Sequence, residues 1–182
     1  MAKTRESCLI CQIVANNIPS YKVYEDDTAL AALDFNGANP GHCFIIPKSH
    51  YPILEQVPNE ELGHLFSLAN KISSAIFESL KAQGTNVFVA NGIPAGQTVA
   101  HFMINVIPRK ENDGIDLQWK PKQLSEEEMS TVELKLKENM QGAAIESLEK
   151  KERQKAHAER PKPFISDEGE EDYFMNQLRK IP

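Results

Sequence analysis

Between Gly96 and Arg109 the chain reads Gly-Gln-Thr-Val-Ala-His-Phe-Met-Ile-Asn-Val-Ile-Pro-Arg. Its period-two alternation predicts a strand from Val99 to Ile107, because successive side chains of a strand point to opposite faces. Ala100, Phe102, Ile104 and Val106 make one apolar face suited to a core. His101, Met103 and Asn105 stand in a row on the other. Pro108 has no N–H for a sheet ladder and is expected to end the strand. The Gly96-Gln97-Thr98 turn before it offers backbone N–H groups and a hydroxyl, donors that suit an anion.

The rest of the chain supplies elements for such a strand to join. Tyr21–Glu25 and Thr28–Leu33 are expected to form a hairpin across Asp26-Asp27, after a short helix broken at Ile18-Pro19-Ser20. Cys43–Ile46 reads as a buried central strand and Val87–Ala90 as another. Between them Asn59 is expected to cap a long helix, and Gly84 to end it near Gln83. Its stripe is Leu62, Leu65, Phe66, Ala69, Ile72, Ile76 and Leu80, with His64 off the stripe and facing solvent. Strands, one long helix and strands again predict an α+β domain on an antiparallel sheet.

After Lys110 the character changes. Ser125-Glu-Glu-Glu128 is a capping-box start. Met129, Val132, Leu136, Met140, Ala143 and Leu148 then trace a helical stripe. Charges of both signs dominate residues 149–160, read as a solvated helix end. An acidic linker follows over 166–172, and an apolar segment, Tyr173–Leu178, that is expected to dock on a subunit. The expected division is a domain over 1–110 and a helical extension over 111–182.

The 182 residues carry a net charge of −6. That argues against holding nucleic acid by overall electrostatics, although a local cluster of donors can still bind a small anion. No apolar run approaches the ~20 residues that span a membrane, and the N-terminus leads into no apolar signal segment, so a cytoplasmic protein is expected. Three cysteines do not suggest a disulfide framework. Cys8 and Cys11, three apart, read as a metal half-site, a redox pair or two buried thiols. Asp34, at a strand end, is suited to a turn with Asn36 and Gly37. His42 reads as a core histidine paired to a backbone carbonyl, and Cys43 as a small buried apolar residue.

Two segments carry a resemblance. Gly96-Gln97-Thr98-Val99 followed by His101-x-Met103-x-Asn105 and Val106-Ile107-Pro108-Arg109 resembles the signature of the histidine triad (HIT) superfamily, Gly-Gln-Ser/Thr-Val-x-His-x-His-x-His with an apolar-apolar-Pro-Arg ending. Gly41-His42-Cys43-Phe44-Ile45-Ile46-Pro47-Lys48-Ser49-His50 resembles the family's Gly-His-x-apolar-apolar-apolar-Pro-Lys-x-His segment. The likeness covers about residues 8–110. It implies a HIT-like fold: a five-stranded antiparallel sheet, one long helix, a short N-terminal helix and two subunits joined as a homodimer, here with a helical C-terminal extension. It implies zinc in a closed, structural site held by Cys8, Cys11, His50 and His101. It implies a purine nucleotide or dinucleoside polyphosphate as ligand. Asp34 would take the ribose hydroxyls, and Gly96, Gln97 and Thr98 the phosphate. Ala90 stands where the family often has an Asn, so Asn91 is the candidate to replace it.

In the family the middle histidine attacks the α-phosphorus, and here that position is Met103. A thioether cannot be deprotonated and is a poor nucleophile toward phosphorus. Asn105, at the third position, cannot shuttle a proton near pH 7. Both are expected to be catalytically non-functional, with His42 the nearest substitute by motif. Three readings follow: a nucleotide-binding protein with little or no hydrolase activity; an active nucleotide hydrolase or transferase of phosphoramidase or dinucleoside polyphosphate hydrolase type; and a zinc-stabilised interaction protein without a nucleotide. Asp34, Gln97 and Thr98 favour the first two. Met103 and Asn105 favour the first and third.

Overall fold

The computed structural model describes residues 7–140. The expectations for Ala143, Leu148 and residues 149–178 lie outside the described residues. The chain divides into two units, residues 1–118 and 119–182.

In the first unit five strands form one antiparallel sheet in the order β1-β2-β3-β5-β4. They are β1 (Lys22–Glu25), β2 (Ala29–Leu33), β3 (Cys43–Pro47), β4 (Gly84–Phe88) and β5 (Ile104–Arg109). The long helix α2 (Asn59–Leu80) covers one face and the short helix α1 (Leu9–Val14) packs on the other. This is the α+β architecture expected.

Alternation along the strands explains the two cores. Ala29 and Ala31 of β2, Cys43 and Ile45 of β3, and Ile104 and Val106 of β5 pack with Leu65, Leu68, Ala69, Ile72 and Ile76 of α2. Leu30, Ala32, Phe44 and Ile46 turn the other way, against Cys8, Ile10, Cys11 and Ile13. β3 is therefore apolar on both sides and buried throughout.

Several boundaries differ from expectation. β5 begins at Ile104, so residues 99–103 are not strand: they bend, and His101, Met103 and Asn105 do not form one straight row. Pro108 does not end β5 but pairs with Thr85 inside it. The β3 pairing stops at Val106, so the missing N–H of Pro108 costs no ladder bond on that side. Asn59 does not cap α2; it is its first helical residue, after Pro58. Lys81, in the left-handed conformation at φ 50°, ends the helix, and Gly84 opens β4. The buried stripe takes Leu68 in place of Phe66, which with Leu80 stays exposed. His64 is off the stripe, as expected, yet its Nε2 lies 2.7 Å from Asp26 Oδ2 on the β1–β2 turn.

Gly41 is where only glycine fits. Its φ is +89°, and a Cβ there would lie 2.3 Å from Leu80 Cδ1 and 3.3 Å from Pro108 Cγ. The turn into β3 thus passes directly under the end of α2. Residues 111–115 also belong with β5: Asp113 binds Arg109 at 2.6 and 2.9 Å and receives Asn39 Nδ2 at 3.0 Å. That tie explains why the first unit runs past residue 110.

In the second unit residues 126–140 are helical. Ser125 makes the expected capping box with Glu128: Glu128 N–H donates to Ser125 Oγ at 3.2 Å and Ser125 N–H to the Glu128 carboxylate at 2.8 Å. Met129, Val132, Leu136 and Met140 are exposed. No helix among the described residues is long and apolar enough to cross a membrane.

Candidate functional site

On the α1 face of the sheet two constellations meet at residues 98–105. The first is a metal-type cluster. Cys8 and Cys11 come from the start of α1, His50 from the turn after β3 and His101 from the bend before β5, and their ligand atoms all lie within 4.8 Å of one another. His101 Nδ1 is 3.6 Å from both sulfurs, and His50 Nδ1 is 3.3 Å from Cys11 Sγ. None of the three cysteines forms a disulfide.

The donor set fits zinc. With Zn–S near 2.3 Å and Zn–N near 2.0 Å, a sulfur–nitrogen edge of a tetrahedron is about 3.5 Å. His101 Nε2 lies 3.0 Å from the Pro47 carbonyl, which can only accept, so Nε2 carries the proton and Nδ1 turns its lone pair to the thiols. A ligating histidine anchored through its other N–H is the usual arrangement around a protein metal. Burial pushes the His101 imidazole down to about 4, against the Pro47 carbonyl, which acts upward, and with His50 beside it. His50 Nε2 is buried without a hydrogen-bond partner among the described residues. The cluster is compatible with zinc.

The second constellation is a cavity of about 190 Å³ lined by Asp34, Gly96, Gln97, Thr98, Met103 and Asn105, with Phe88, Ala90, Val99 and His101. Asp34 enters at the end of β2. Its Oδ1 accepts the Asn36 N–H at 2.8 Å, the Asx turn expected of a strand-end aspartate, and Oδ2 has no such bond among the described residues. Gly96, at φ +90°, ends the Ile93–Ala95 turn and brings the backbone of 97–98 to the cavity wall.

Two of the expected nucleotide-binding residues, Gln97 and Asn91, are employed otherwise. The Gln97 side chain is committed to the loop itself. Its Oε1 accepts from Gly92 N–H at 2.8 Å, and its Nε2 donates to the Pro52 and Val99 carbonyls at 2.7 and 2.9 Å. Only its backbone can face a ligand. Asn91 does not line the cavity. Its Oδ1 accepts from Leu54 N–H at 3.0 Å and its Nδ2 donates to Glu55 at 2.8 Å, so it fastens the Leu54–Gln56 turn instead. Ala90 lines the wall, and Asn91 does not stand in there as expected.

Met103 bridges the two constellations, lining the cavity while packing against the α1-side core. His42 is not paired to a backbone carbonyl among the described residues. Its Nδ1 accepts the Ala38 N–H at 3.1 Å, and its Nε2 faces Asn105 Oδ1 at 3.2 Å. The pair was legible in principle: Asn105 stands opposite Phe44 in the β3–β5 ladder, which makes His42 its diagonal neighbour on the same face. Cys43 is buried as expected, donating to the Gly41 carbonyl, and burial pushes its thiol up.

Away from this face, Asp26, Asp27, Thr28, Pro58, Glu60, Glu61 and His64 line a larger, open hollow. Burial alone would raise Asp26. The Thr28 and Ala29 N–H groups, His64 and the Tyr24 hydroxyl outweigh it and hold Asp26 well below the usual carboxylate range. Nothing in the sequence pattern singles these residues out, since they are ordinary turn and helix-start residues.

A five-stranded sheet with a Cys-Cys-His-His cluster and a cavity on the same face defines a narrow class of protein. The HIT domain model matches residues 15–112, and the chain belongs to the HIT family. Adenylylsulfatase HINT3 of Arabidopsis thaliana is 41% identical over 109 residues, 60% of this chain and 55% of HINT3, so the match spans about half of that relative's length. A zinc-bound histidine triad family protein from Mycobacterium smegmatis superposes with a TM-score of 0.60 at 32% identity, covering 65% of this chain and 86% of that one. A histidine triad nucleotide-binding protein from Candida albicans superposes at 0.68 with 27% identity, covering 75% and 99%.

Proposed function

We propose that this protein binds a purine nucleotide in the Asp34–Thr98–Asn105 cavity, holds a structural zinc at Cys8, Cys11, His50 and His101, and has little or no nucleotidyl-transfer activity. One observation carries the reading: the cavity joins Asp34 to the Gly96–Thr98 turn while its wall offers Met103 and Asn105 where attack on phosphorus would need an imidazole. Family membership and relatives named for a nucleotide or an adenylyl substrate support the ligand class. A zinc-bound relative supports the metal.

Chemically, Asp34 Oδ2 accepts the ribose hydroxyls, and the 97–98 backbone with the Thr98 hydroxyl donates to the phosphate. Zinc, when bound, supplies a crosslink between α1, the turn after β3 and the approach to β5, and takes no part in the reaction. His101 is withheld from the cavity's chemistry, because one nitrogen faces the Pro47 carbonyl and the other the thiols. His42 points its proton-bearing nitrogen at Asn105, so it is not set to attack phosphorus.

Two chains joining as a homodimer fit the surface. β4 is an edge strand, and Phe66, Phe77, Val87 and Phe88 are exposed. The domain proper ends near residue 110, with its last turns tied back by Asp113, and the remainder is the extension.

Calorimetry with AMP, GMP and diadenosine polyphosphates tests the reading. Dissociation constants between micromolar and millimolar, about −8 to −4 kcal/mol, are expected. No heat at millimolar nucleotide would favour the zinc-stabilised interaction protein.

A further inference from the structure

Among the described residues, none gives the cavity a full positive charge to present to an anion. Its lining includes one carboxylate, Asp34, and neither lysine nor arginine. Both ring nitrogens of His101 are directed elsewhere, toward the Pro47 carbonyl and the Cys8 and Cys11 sulfurs. A phosphoryl group bound here depends on neutral donors.

One such donor is oriented by a chain of two hydrogen bonds. Ala38 N–H donates to His42 Nδ1 at 3.1 Å, so that nitrogen carries the lone pair and Nε2 carries the proton. The Nε2–H then donates to Asn105 Oδ1 at 3.2 Å. With its oxygen taken, the Asn105 carboxamide leaves Nδ2, which has no protein partner among the described residues, at the cavity wall. An asparagine alone could present either end; here the histidine tautomer decides which.

We propose that Asn105 Nδ2, aligned by His42, is a phosphoryl-binding donor beside the 97–98 backbone and the Thr98 hydroxyl, and that the cavity, built of neutral donors, prefers nucleotides whose phosphoryl group carries one negative charge over a dianionic 5′-monophosphate. The proposal rests on the nucleotide reading above. A carboxamide supplies a dipole and not a counter-ion. Taking a charge out of water without a counter-ion is costly, the cost rises steeply with the charge, and Asp34 in the same wall adds repulsion. An ester or amide of the phosphate loses one negative charge while keeping oxygens that accept from Nδ2. Asn105 is thus a ligand-binding residue and His42 a positioning residue.

The test is calorimetry on the full chain at pH 8 with adenosine, AMP and adenosine 5′-phosphoramidate, the last two matched in shape and differing by one charge. Adenosine 5′-methyl phosphate serves as a second, hydrolysis-resistant monoanion. Both monoanions are expected to bind at least ~10-fold more tightly than AMP. Asn105→Asp still accepts from His42 but replaces the donor with a negative oxygen. It is expected to weaken the monoanions at least ~10-fold, the scale of a hydrogen bond to a charged group, and to leave adenosine unchanged. His42→Ala is expected to weaken the monoanions in the wild-type background and to add nothing when Asn105 is already Ala, the coupling that alignment requires. Tighter binding of AMP than of both monoanions, or unchanged monoanion binding in Asn105→Asp, would overturn the proposal and leave the nucleotide reading standing. Absence of binding by adenosine and every nucleotide would overturn that reading and the proposal with it. Should His42→Ala not fold, the ligand series and Asn105→Asp still decide.

Discussion

Met103 is the residue on which the chemistry turns. Its thioether packs against the α1-side core and walls the cavity, so the position that would carry a nucleophile is filled by an apolar contact. Met103→His, alone or with Asn105→His, is expected to raise hydrolysis of an adenosine phosphoramidate at least ~100-fold, as a positioned nucleophile with a proton partner commonly does. Steady-state turnover of the variants against wild type checks this, and equal rates would show that the cavity does not place phosphorus at residue 103. Asp34→Ala is expected to weaken ribonucleotides about tenfold without weakening inorganic phosphate, read by competition binding. The sequence made these positions visible because each side chain stands in a recognisable motif. It did not reveal the uses of Gln97 and Asn91. Both amides carry donors and acceptors that serve a ligand or a loop equally well, and only the folded loop shows that Gly92, Pro52, Leu54 and Glu55 consume them.

Among the elements, α2 was legible because its buried residues recur at three and four, and β2 and β3 because their short apolar runs are buried on both faces, whereas the ends were not. β5 starts five residues later than its alternation suggested, because His101 turns into the thiol cluster and residues 99–103 bend to let it. α2 stops at Lys81 and not at the glycine, since the chain must turn at once to begin β4. Gly41→Ala tests the close passage beneath α2. With positive φ and a methyl 2.3 Å from Leu80 Cδ1, it is expected to lower stability by about 1–3 kcal/mol in urea unfolding. A change within ~0.5 kcal/mol would mean Leu80 simply swings aside. The Arg109–Asp113 tie adds a pH signature. Bonding to Arg109, then to the Ile115 N–H, holds the Asp113 carboxyl far below its ordinary value. A depressed folded-state value stabilises above the unfolded value of about 3.9 and is lost as pH falls below it. Asp113→Asn is therefore expected to melt earlier than wild type at pH 7, the gap narrowing below about pH 4. A gap that is constant with pH would assign the loss to hydrogen-bond geometry alone.

At the scale of the whole molecule, zinc and the sheet face act together. The four proposed ligands come from three separate segments, and metal binding free energy counts as folding free energy when it joins them. Purified protein is expected to hold about one zinc per chain, and chelation or Cys8→Ser to lower the melting temperature by at least ~5 °C, what roughly 1 kcal/mol does to a domain of this size. Metal analysis of protein made without added zinc, beside the melting curves, checks it. The exposed stripe of the 126–140 helix was legible as a pattern, but a period of apolar residues names a face without naming what covers it. The most direct measurement incubates the wild-type protein with an adenosine phosphoramidate, following ammonia release and the intact mass of the protein. No adenylyl adduct and turnover at background are expected while calorimetry records nucleotide binding. An adduct on the wild-type chain, or turnover matching an intact triad enzyme, would contradict a binding protein without a nucleophile and put the chemistry on another side chain, His42 first.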